Sequence, residues 1–263
     1  MNLRAGWALI GTTWTMRLQT RGLFFIEALS WMVAPLAFLF VWVTAAGSGT
    51  VGGFSRGEFV AYYLLLIVIA QVTNVQHEWT VGDAIASGDL NRLLLRPMAP
   101  VLDVLAQDVA AVTVTLLFAF PVGAVLALLL RPELHPTPSD VILFFPALTL
   151  AWALRFCWSY ALASLAFWTS RAGGLFSLHA ALLFLLAGQV APVALLPKPL
   201  RAVAILLPFR YMLGFPVEVL SGHLDATGIA RGLAWQLGWL IVCLALARLL
   251  WRLGVRRYTA WGG

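Results

Sequence analysis

The sequence predicts an all-α membrane protein with six transmembrane helices, and three observations lead to this fold class. Of the 263 residues, 62% are hydrophobic and only 11% are charged, whereas about a quarter of the residues of an average soluble domain are charged. Six apolar segments approach or exceed the length of roughly 20 residues that a helix needs to cross a bilayer. The stretches between them are polar or rich in glycine and proline, which is typical of turns and loops. We therefore treat residues 1–263 as one transmembrane domain.

The predicted spans are separated by connections of clearly different composition. Residues 47–57 form a turn rich in glycine and serine, residues 131–140 contain three prolines, and residues 169–174 form a short turn. Glycine and proline clusters of this kind end helices. The six spans are residues 23–46, 58–79, 101–130, 141–168, 175–191 and 233–250.

Residues 3–21 predict an amphipathic helix ahead of the first span. Its large apolar residues recur at spacings of four, three, four and four, which places them on one face of a helix. Such a helix, with tryptophans at headgroup depth, is typical of a segment that lies in the membrane interface. The residues of this face are Leu3, Trp7, Ile10, Trp14 and Leu18.

Residues 192–232, between spans five and six, have a different pattern. Their apolar pieces are short and are interrupted repeatedly by proline and glycine. Broken backbone at membrane depth is tolerated only against protein or along a water-lined cavity. We therefore expect short helices that dip into one face of the membrane.

The basic residues predict the orientation of the chain. Ten arginines fall on the face that carries both termini and residues 81–97, against six basic residues on the other face. The positive-inside rule then places both termini and residues 81–97 in the cytoplasm, with the chain crossing the cell membrane several times. The net charge of +6 is explained by this bias and by anionic membrane lipids, so we predict no nucleic-acid partner.

The polar run at residues 81–97 lies between spans two and three and cannot enter hydrocarbon, because its charges would be left unsatisfied there. Asp83 and Asp89 are each predicted to cap a short helical turn, Gly88 to end the first turn and Pro97 to stop the second. We interpret the run as an element that docks a water-soluble partner. The alternative is a loop that only connects two helices. The second turn combines an apolar stripe with two arginines, formed by Leu90, Leu93, Leu94, Arg92 and Arg96.

Motifs for catalysis are missing from the sequence. A phosphate-binding loop needs G-x-x-x-x-G-K-[ST], but the single lysine, Lys198, stands between Pro197 and Pro199. His77 and Glu78 are adjacent and have no third metal ligand nearby in the sequence. We therefore predict no catalytic residue, no metal site and no cofactor bound by this chain.

Three residues are candidates for a translocation pathway or a subunit seam, namely Arg155, Tyr211 and Glu218. Arg155 is the only charged residue near the middle of a predicted span, so it should face the bundle interior and have a partner. Its partner could be Glu27, Asp103 or Asp108, or neighbouring aromatic rings, in which case its role would be structural. Glu218 lies in the broken segment, either at the lip of a gate or on a solvated helix face.

The order of these elements resembles the type 2 permease family of ABC transporters. The residues that carry the resemblance are Gly88-Asp89-Leu90-Asn91-Arg92-Leu93-Leu94-Leu95-Arg96-Pro97, similar to a G-x-L-x-x-L-L-x-R-P run in that family, and the stretch Pro208-Phe209-Arg210-Tyr211 in the broken segment. The resemblance implies an exporter subunit that pairs with a second permease, identical or related, and with two separate ATPase subunits that bind ATP and magnesium.

In that family the loop between spans two and three forms a coupling helix in a groove of the ATPase. The resemblance therefore assigns residues 81–100 to a cytoplasmic coupling loop and the short outer helices to the exit side of the pathway. An ATP-independent secondary transporter or an intramembrane enzyme is the alternative. A proton-coupled carrier would more naturally show several intramembrane acids, and an enzyme would show a nucleophile–base pair. The residues assigned to docking are Gly82, Asp83, Gly88, Asp89, Leu90, Arg92, Leu93, Arg96 and Pro97.

Overall fold

The computed structural model is a helical bundle with one small hairpin. It describes residues 11, 14, 15, 21–75, 77–95, 99–169 and 172–258. The elements in chain order are α1 (Arg21–Ala46), β1 (Thr50–Val51), β2 (Phe54–Ser55), α2 (Arg56–Val72), α3 (His77–Ser87), α4 (Leu90–Leu94), α5 (Pro100–Leu130), α6 (Pro138–Ser164), α7 (Ala172–Leu186), α8 (Lys198–Leu206), α9 (Phe209–Met212), α10 (Gly214–Leu220) and α11 (Ala226–Arg257), with single 3₁₀ turns at Leu165–Phe167 and Val193–Leu195.

The apolar helices fit an all-α membrane protein. Within the part of the chain that the structure describes, four helical stretches are long and apolar enough to cross a membrane. Two further apolar stretches, one in α1 and one formed by α7, are shorter. The four long stretches are Arg56–Ser87, Pro100–Leu130, Pro138–Phe167 and Ala226–Arg257.

The second predicted span, residues 58–79, is interrupted, because α2 ends at Val72 and α3 begins at His77. Thr73 ends α2 by bonding back to Ile69, whose carbonyl accepts from both the Thr73 amide and the Thr73 hydroxyl at 2.9 Å. Valine, threonine and asparagine, which dominate residues 72–75, are weak helix formers. The polar run predicted to start at residue 81 therefore continues a helix that has already begun.

The boundary between the broken segment and the last helix differs from the prediction. Residues 226–232 were expected to belong to the broken segment, but α11 begins at Ala226 because the Asp225 carboxylate accepts from the Gly228 amide at 2.9 Å. Gly232 does not break the helix. It allows close packing, since a Cβ at that position would overlap the Phe215 ring.

Segments predicted to share a membrane face lie together at the same end of the bundle. At one end the Glu133 amide donates to the Gly57 carbonyl at 3.0 Å, and the Phe54 and His223 rings stack at 4.3 Å. At the other end the Tyr258 hydroxyl donates to the Gly88 carbonyl at 2.7 Å. We call the first the hairpin end and the second the Gly88 end.

The hairpin β1–β2 within residues 47–57 was not predicted. Its two strands pair antiparallel across Gly52 and Gly53, whose φ values of 58° and 88° lie in the left-handed region that glycine adopts without steric cost. Ser55 then caps α2, because its hydroxyl accepts from the Glu58 amide while Glu58 accepts from the Ser55 amide.

Most of the predicted interfacial helix at residues 3–21 lies outside the described residues. Trp14, Thr15 and Gly11 are helical, and the Thr15 hydroxyl donates to the Gly11 carbonyl at 2.9 Å. Its position in the membrane interface stays a prediction.

Candidate functional site

The first candidate site is the helical elbow at residues 77–95, formed by α3, Gly88 and α4. One face of α3 is buried at helical spacing, so the helix is fixed to the body of the protein. The opposite face is exposed and includes Asp83. The buried residues of α3 are His77, Glu78, Val81, Gly82 and Ile85.

Gly88 forms the corner of the elbow. Its φ of 86° belongs to the left-handed region, and it ends α3 as the sequence predicts. The Tyr258 hydroxyl, at the end of α11, holds the corner through the Gly88 carbonyl. Beyond the corner, Leu90 is fully buried and anchors α4, whereas Asp89 is exposed and accepts from the Ser87 hydroxyl at 3.0 Å.

The residues predicted for docking divide into two groups. Asp83, Asp89 and Arg92 are exposed, whereas Gly82 and Leu90 are buried and hold the elbow in place. Asp83 caps no helix, contrary to the prediction, because α3 begins six residues before it. Leu93 lies in α4, but its side chain is outside the described part, as are Arg96 and Pro97.

Leu95 is not among the residues predicted for docking, although it is 86% exposed, close to Arg92 and Leu94 in the chain. The exposed leucine follows exposed Arg92 and Leu94 in the chain, so the end of the elbow is both apolar and charged. The sequence does indicate that Leu95 is exposed, because this residue lies outside the helical stripe that the other leucines form.

The second candidate site surrounds Arg155, which is only 8% exposed and faces the bundle interior. One of its terminal nitrogens donates to the Thr73 hydroxyl at 3.3 Å. Its Nε has no hydrogen-bond partner among the described residues. Of the carboxylates predicted as its partners, Asp108 acts on it electrostatically, together with Glu78. The Glu27 side chain lies outside the described part, and Asp103 accepts from Gln107 at 3.0 Å.

A buried polar cluster adjoins Arg155, and each of its carboxylates has its own partner. His77 places Nδ1 2.9 Å from Asp108 Oδ2 and Nε2 3.1 Å from the Phe156 carbonyl. Because a carbonyl only accepts, the contact with Phe156 requires a hydrogen on Nε2. The Ser159 hydroxyl donates to Glu78.

This cluster surrounds Arg155 with ionisable groups that the sequence does not place next to it. Glu78 and Asp108 are both buried. They meet only because α3, α5 and α6 pack together, which spacing along the chain does not reveal. In the described residues no three histidine, cysteine, aspartate or glutamate side chains are grouped as metal ligands.

A cavity of about 420 Å³ lies beside the cluster. Its volume is within the usual range of small-molecule pockets. Its polar wall includes Arg155 and Glu78, and its apolar wall comes mainly from α1, α2 and α7. Of the three predicted pathway residues, Arg155 is the one that lines this cavity.

Tyr211 and Glu218 pack elsewhere, between the short helices of the broken segment. Glu218 is 7% exposed and forms an ion pair with Arg210, whose Nε lies 3.1 Å from Oε2. The expectation of a solvated face at Glu218 is therefore wrong, because Arg210 neutralises the carboxylate inside the bundle. The Tyr211 hydroxyl donates to the Ile205 carbonyl at 2.8 Å.

Comparison with protein families shows to which family the chain belongs. A family model described as ABC-2 family transporter protein matches residues 29–262. The chain belongs to the ABC-2 transporter family. A comparison with curated proteins gave no significant match. The family assignment confirms the resemblance that the sequence predicts.

As an ABC-2 permease, the chain is a multi-pass membrane component of an ABC transporter system and is not itself the catalytic part. Membership of the family implies ATPase partners. The match includes the whole elbow and every residue given above as lining the cavity, so both candidate sites lie within the matched region.

Proposed function

We propose that this ABC-2 permease is the transmembrane subunit of an ATP-driven exporter. It forms the translocation route with a second permease, identical or related, and is driven by two separate ATPase subunits that bind ATP and magnesium. The permease itself binds no cofactor. The observation that carries the proposal is the elbow, which presents charged and apolar side chains on a face whose reverse side is fixed in the protein core.

In this proposal the chain crosses the cell membrane six times, with both termini and residues 81–97 in the cytoplasm. The four long helical stretches supply four crossings, and α1 and α7 supply the other two. At a rise of about 1.5 Å per residue, the 26 residues of α1 extend about 39 Å, enough for the hydrocarbon core. The 15 residues of α7 extend about 22 Å, and the predicted span continues beyond them to residue 191.

The tip of the elbow is suited to a groove on a water-soluble partner. Asp83, Asp89 and Arg92 provide charge complementarity, which sets the orientation of docking more than its affinity. Leu95, at 86% exposure, supplies an apolar contact of the kind that is costly to leave in water. The exposed residues thus form the contact surface, while Gly82 and Leu90 position it.

The packing of α3 gives a route by which force reaches the bundle. Val81, Ile85 and Leu90 share a core cluster with Phe156 of α6 and Phe176 of α7. Closure of the ATPase subunits on ATP would push the elbow, and α3 would tilt as a rod with its neighbours, as in rigid-body switching. The break at residues 73–75 allows α3 to tilt without bending α2.

Charge reversal at the elbow tests the proposal. Arg92→Glu and Asp89→Arg should reduce co-purification of the ATPase and ATP-driven transport, while the amount of permease in the membrane stays unchanged. The matched control is Arg201→Glu, an exposed arginine on α8 in the broken segment, which should have no effect on co-purification. Normal co-purification and transport by both elbow variants would refute the assignment of the elbow as the docking element.

The competing function is transport without ATP, and the buried His77–Asp108 pair is the observation that favours it, because proton relays in membrane carriers are built from histidine and carboxylate side chains. Proteoliposomes that contain the permease alone, under an imposed proton gradient, separate the two functions. We expect no transport from the gradient alone and transport when the ATPase and ATP are added.

A further inference from the structure

The guanidinium of Arg155 is incompletely satisfied at the wall of the cavity. The side chain is more than nine-tenths buried, one terminal nitrogen bonds Thr73, and Nε has no partner among the described residues. A buried donor without an acceptor costs free energy that an incoming acceptor would recover. The Arg155 side chain thus points to a ligand that carries an oxygen acceptor.

The charges around the cavity constrain that ligand further. Glu78 lines the same cavity as Arg155, whereas Asp108 is turned toward His77 at 2.9 Å. The cavity wall therefore presents one positive and one negative group. In a site of low dielectric, a ligand of net charge would leave one of these groups repelled, whereas a ligand with one charge of each sign complements both.

The rest of the cavity wall is mainly apolar, although Gln71, Asn74, His179 and Gln189 also line it. Its apolar part includes Trp31 and Pro35 of α1 and Leu183 and Phe184 of α7. The Phe38 and Phe184 rings, whose centroids are 5.7 Å apart, bring α1 and α7 together on the side toward the hairpin end. Walls of this composition accommodate a hydrocarbon chain, which gains free energy in proportion to the apolar area that it buries.

We propose that the cavity binds a zwitterionic amphiphile. Its phosphate or carboxylate accepts hydrogen bonds from Arg155, its ammonium group lies against Glu78, and its apolar chain follows the walls formed by α1 and α7. The inference that the exporter carries this class of molecule rests on the proposed function. Binding itself needs only the permease.

The experiment uses three photoreactive probes that share one alkyl chain, an alkylphosphocholine, an alkyl phosphate and an alkyltrimethylammonium. Each is titrated into the permease reconstituted without an ATPase, and cross-linking to peptides of α1 and α7 is measured by mass spectrometry. The alkylphosphocholine should label these peptides at the lowest concentration. Equal labelling by all three probes, or labelling confined to other helices, would overturn the proposal.

Two charge variants give opposite changes in preference. Arg155→Gln should weaken labelling by the alkylphosphocholine about tenfold or more, as expected for loss of a charge-assisted hydrogen bond, and should shift the preference to the cationic probe. Glu78→Gln should shift it to the anionic probe. A merely structural role would change labelling without reversing the preference, and that result would contradict the proposal.

Matched variants keep the test independent of folding and of docking. Arg252→Gln removes an exposed arginine of α11 and should leave all three titrations unchanged. Ala180→Trp, at the cavity wall, should reduce labelling by the alkylphosphocholine through steric filling alone, and undiminished labelling would argue against the cavity. The Arg92→Glu variant should be labelled normally although it no longer co-purifies with the ATPase. Probe labelling therefore tests the binding proposal, and co-purification separately tests the proposed function.

Discussion

The elbow and the Arg155 cavity differ in how their residues are brought together. The elbow is made from one continuous stretch, residues 77–95, and its exposed charges, Asp83, Asp89 and Arg92, all come from that stretch. The cavity draws Glu78, Arg155 and His179 from three separate helices. Thr73, at the break between α2 and α3, accepts from Arg155, and α3 contributes both Glu78 to the cavity and an exposed face to the elbow. A surface contact can therefore be encoded locally, whereas a buried polar site depends on the whole bundle, and variants can affect one without the other.

The largest effect is expected where α3 meets α7. A Cβ at Gly82 would lie 2.8 Å from the Phe176 ring, so Gly82→Leu should force the helices apart at a cost of about 1–3 kcal/mol. We expect a lower unfolding temperature in detergent and loss of the ATPase, because both sites depend on α3. Gly174→Leu is the control, since a Cβ there meets open space. Equal behaviour of the two variants would show that α3 is not fixed by this contact.

The next effect should fall on the buried cluster alone. Ser159→Ala removes the hydroxyl that donates to buried Glu78, and an unsatisfied buried acceptor costs about 1–3 kcal/mol. Thermal unfolding should shift downward, while the amount of ATPase that co-purifies per folded permease stays constant. Thr149→Ala removes an exposed hydroxyl and should be neutral. Loss of the ATPase from the Ser159 variant would mean that the two sites are not separable.

A smaller effect should fall on the elbow alone. Tyr258→Phe removes the hydrogen bond to the Gly88 carbonyl, which contributes about 0.5–1.5 kcal/mol. Hydrogen exchange of the amides at residues 88–92 should become faster, and ATPase co-purification should fall several-fold, with probe labelling at the cavity unchanged. Tyr211→Phe, which removes a similar bond to Ile205, should leave exchange in the elbow as it was.

The smallest effect concerns the start of α11, outside both sites. Hydrogen bonds from the Thr227 hydroxyl and the Gly228 amide hold the pKa of Asp225 below its ordinary value. A lowered pKa contributes stability that is present above the ordinary carboxyl range and is lost as the pH falls through the lowered value. Asp225→Asn should keep the cap and remove that part of the acid sensitivity, as measured by thermal unfolding between neutral and acidic pH. An unchanged pH profile would contradict this.

The sequence predicts the parts of the molecule that depend on local pattern. The apolar spans, the end of α3 at Gly88 and the short helices of the broken segment all follow from periodicity and from glycine or proline. The break after Val72 and the early start of α11 were missed, because a threonine that bonds back to Ile69 and an aspartate cap each changed a boundary that apolar composition alone does not mark.

The cluster at Arg155 could not be predicted in the same way. Asp108 and His77 are 31 residues apart and Glu78 and Ser159 are 81 apart, so no spacing rule relates them. Their pairing follows from the packing of α3 against α5 and α6. The sequence does indicate that Arg155 needs a partner, because an unpaired charge at that depth is costly, but it does not indicate which one.

The side of the membrane on which the elbow lies is the claim on which the account depends. In a variant with Cys157 and Cys243 replaced by alanine, Ser87→Cys would be labelled with a membrane-impermeant thiol reagent, with Lys198→Cys as the control for the opposite face. The account predicts that Ser87→Cys reacts only from the cytoplasmic side and is protected when the ATPase is bound. Reaction from the exterior would contradict it, because no cytoplasmic ATPase could then reach the elbow.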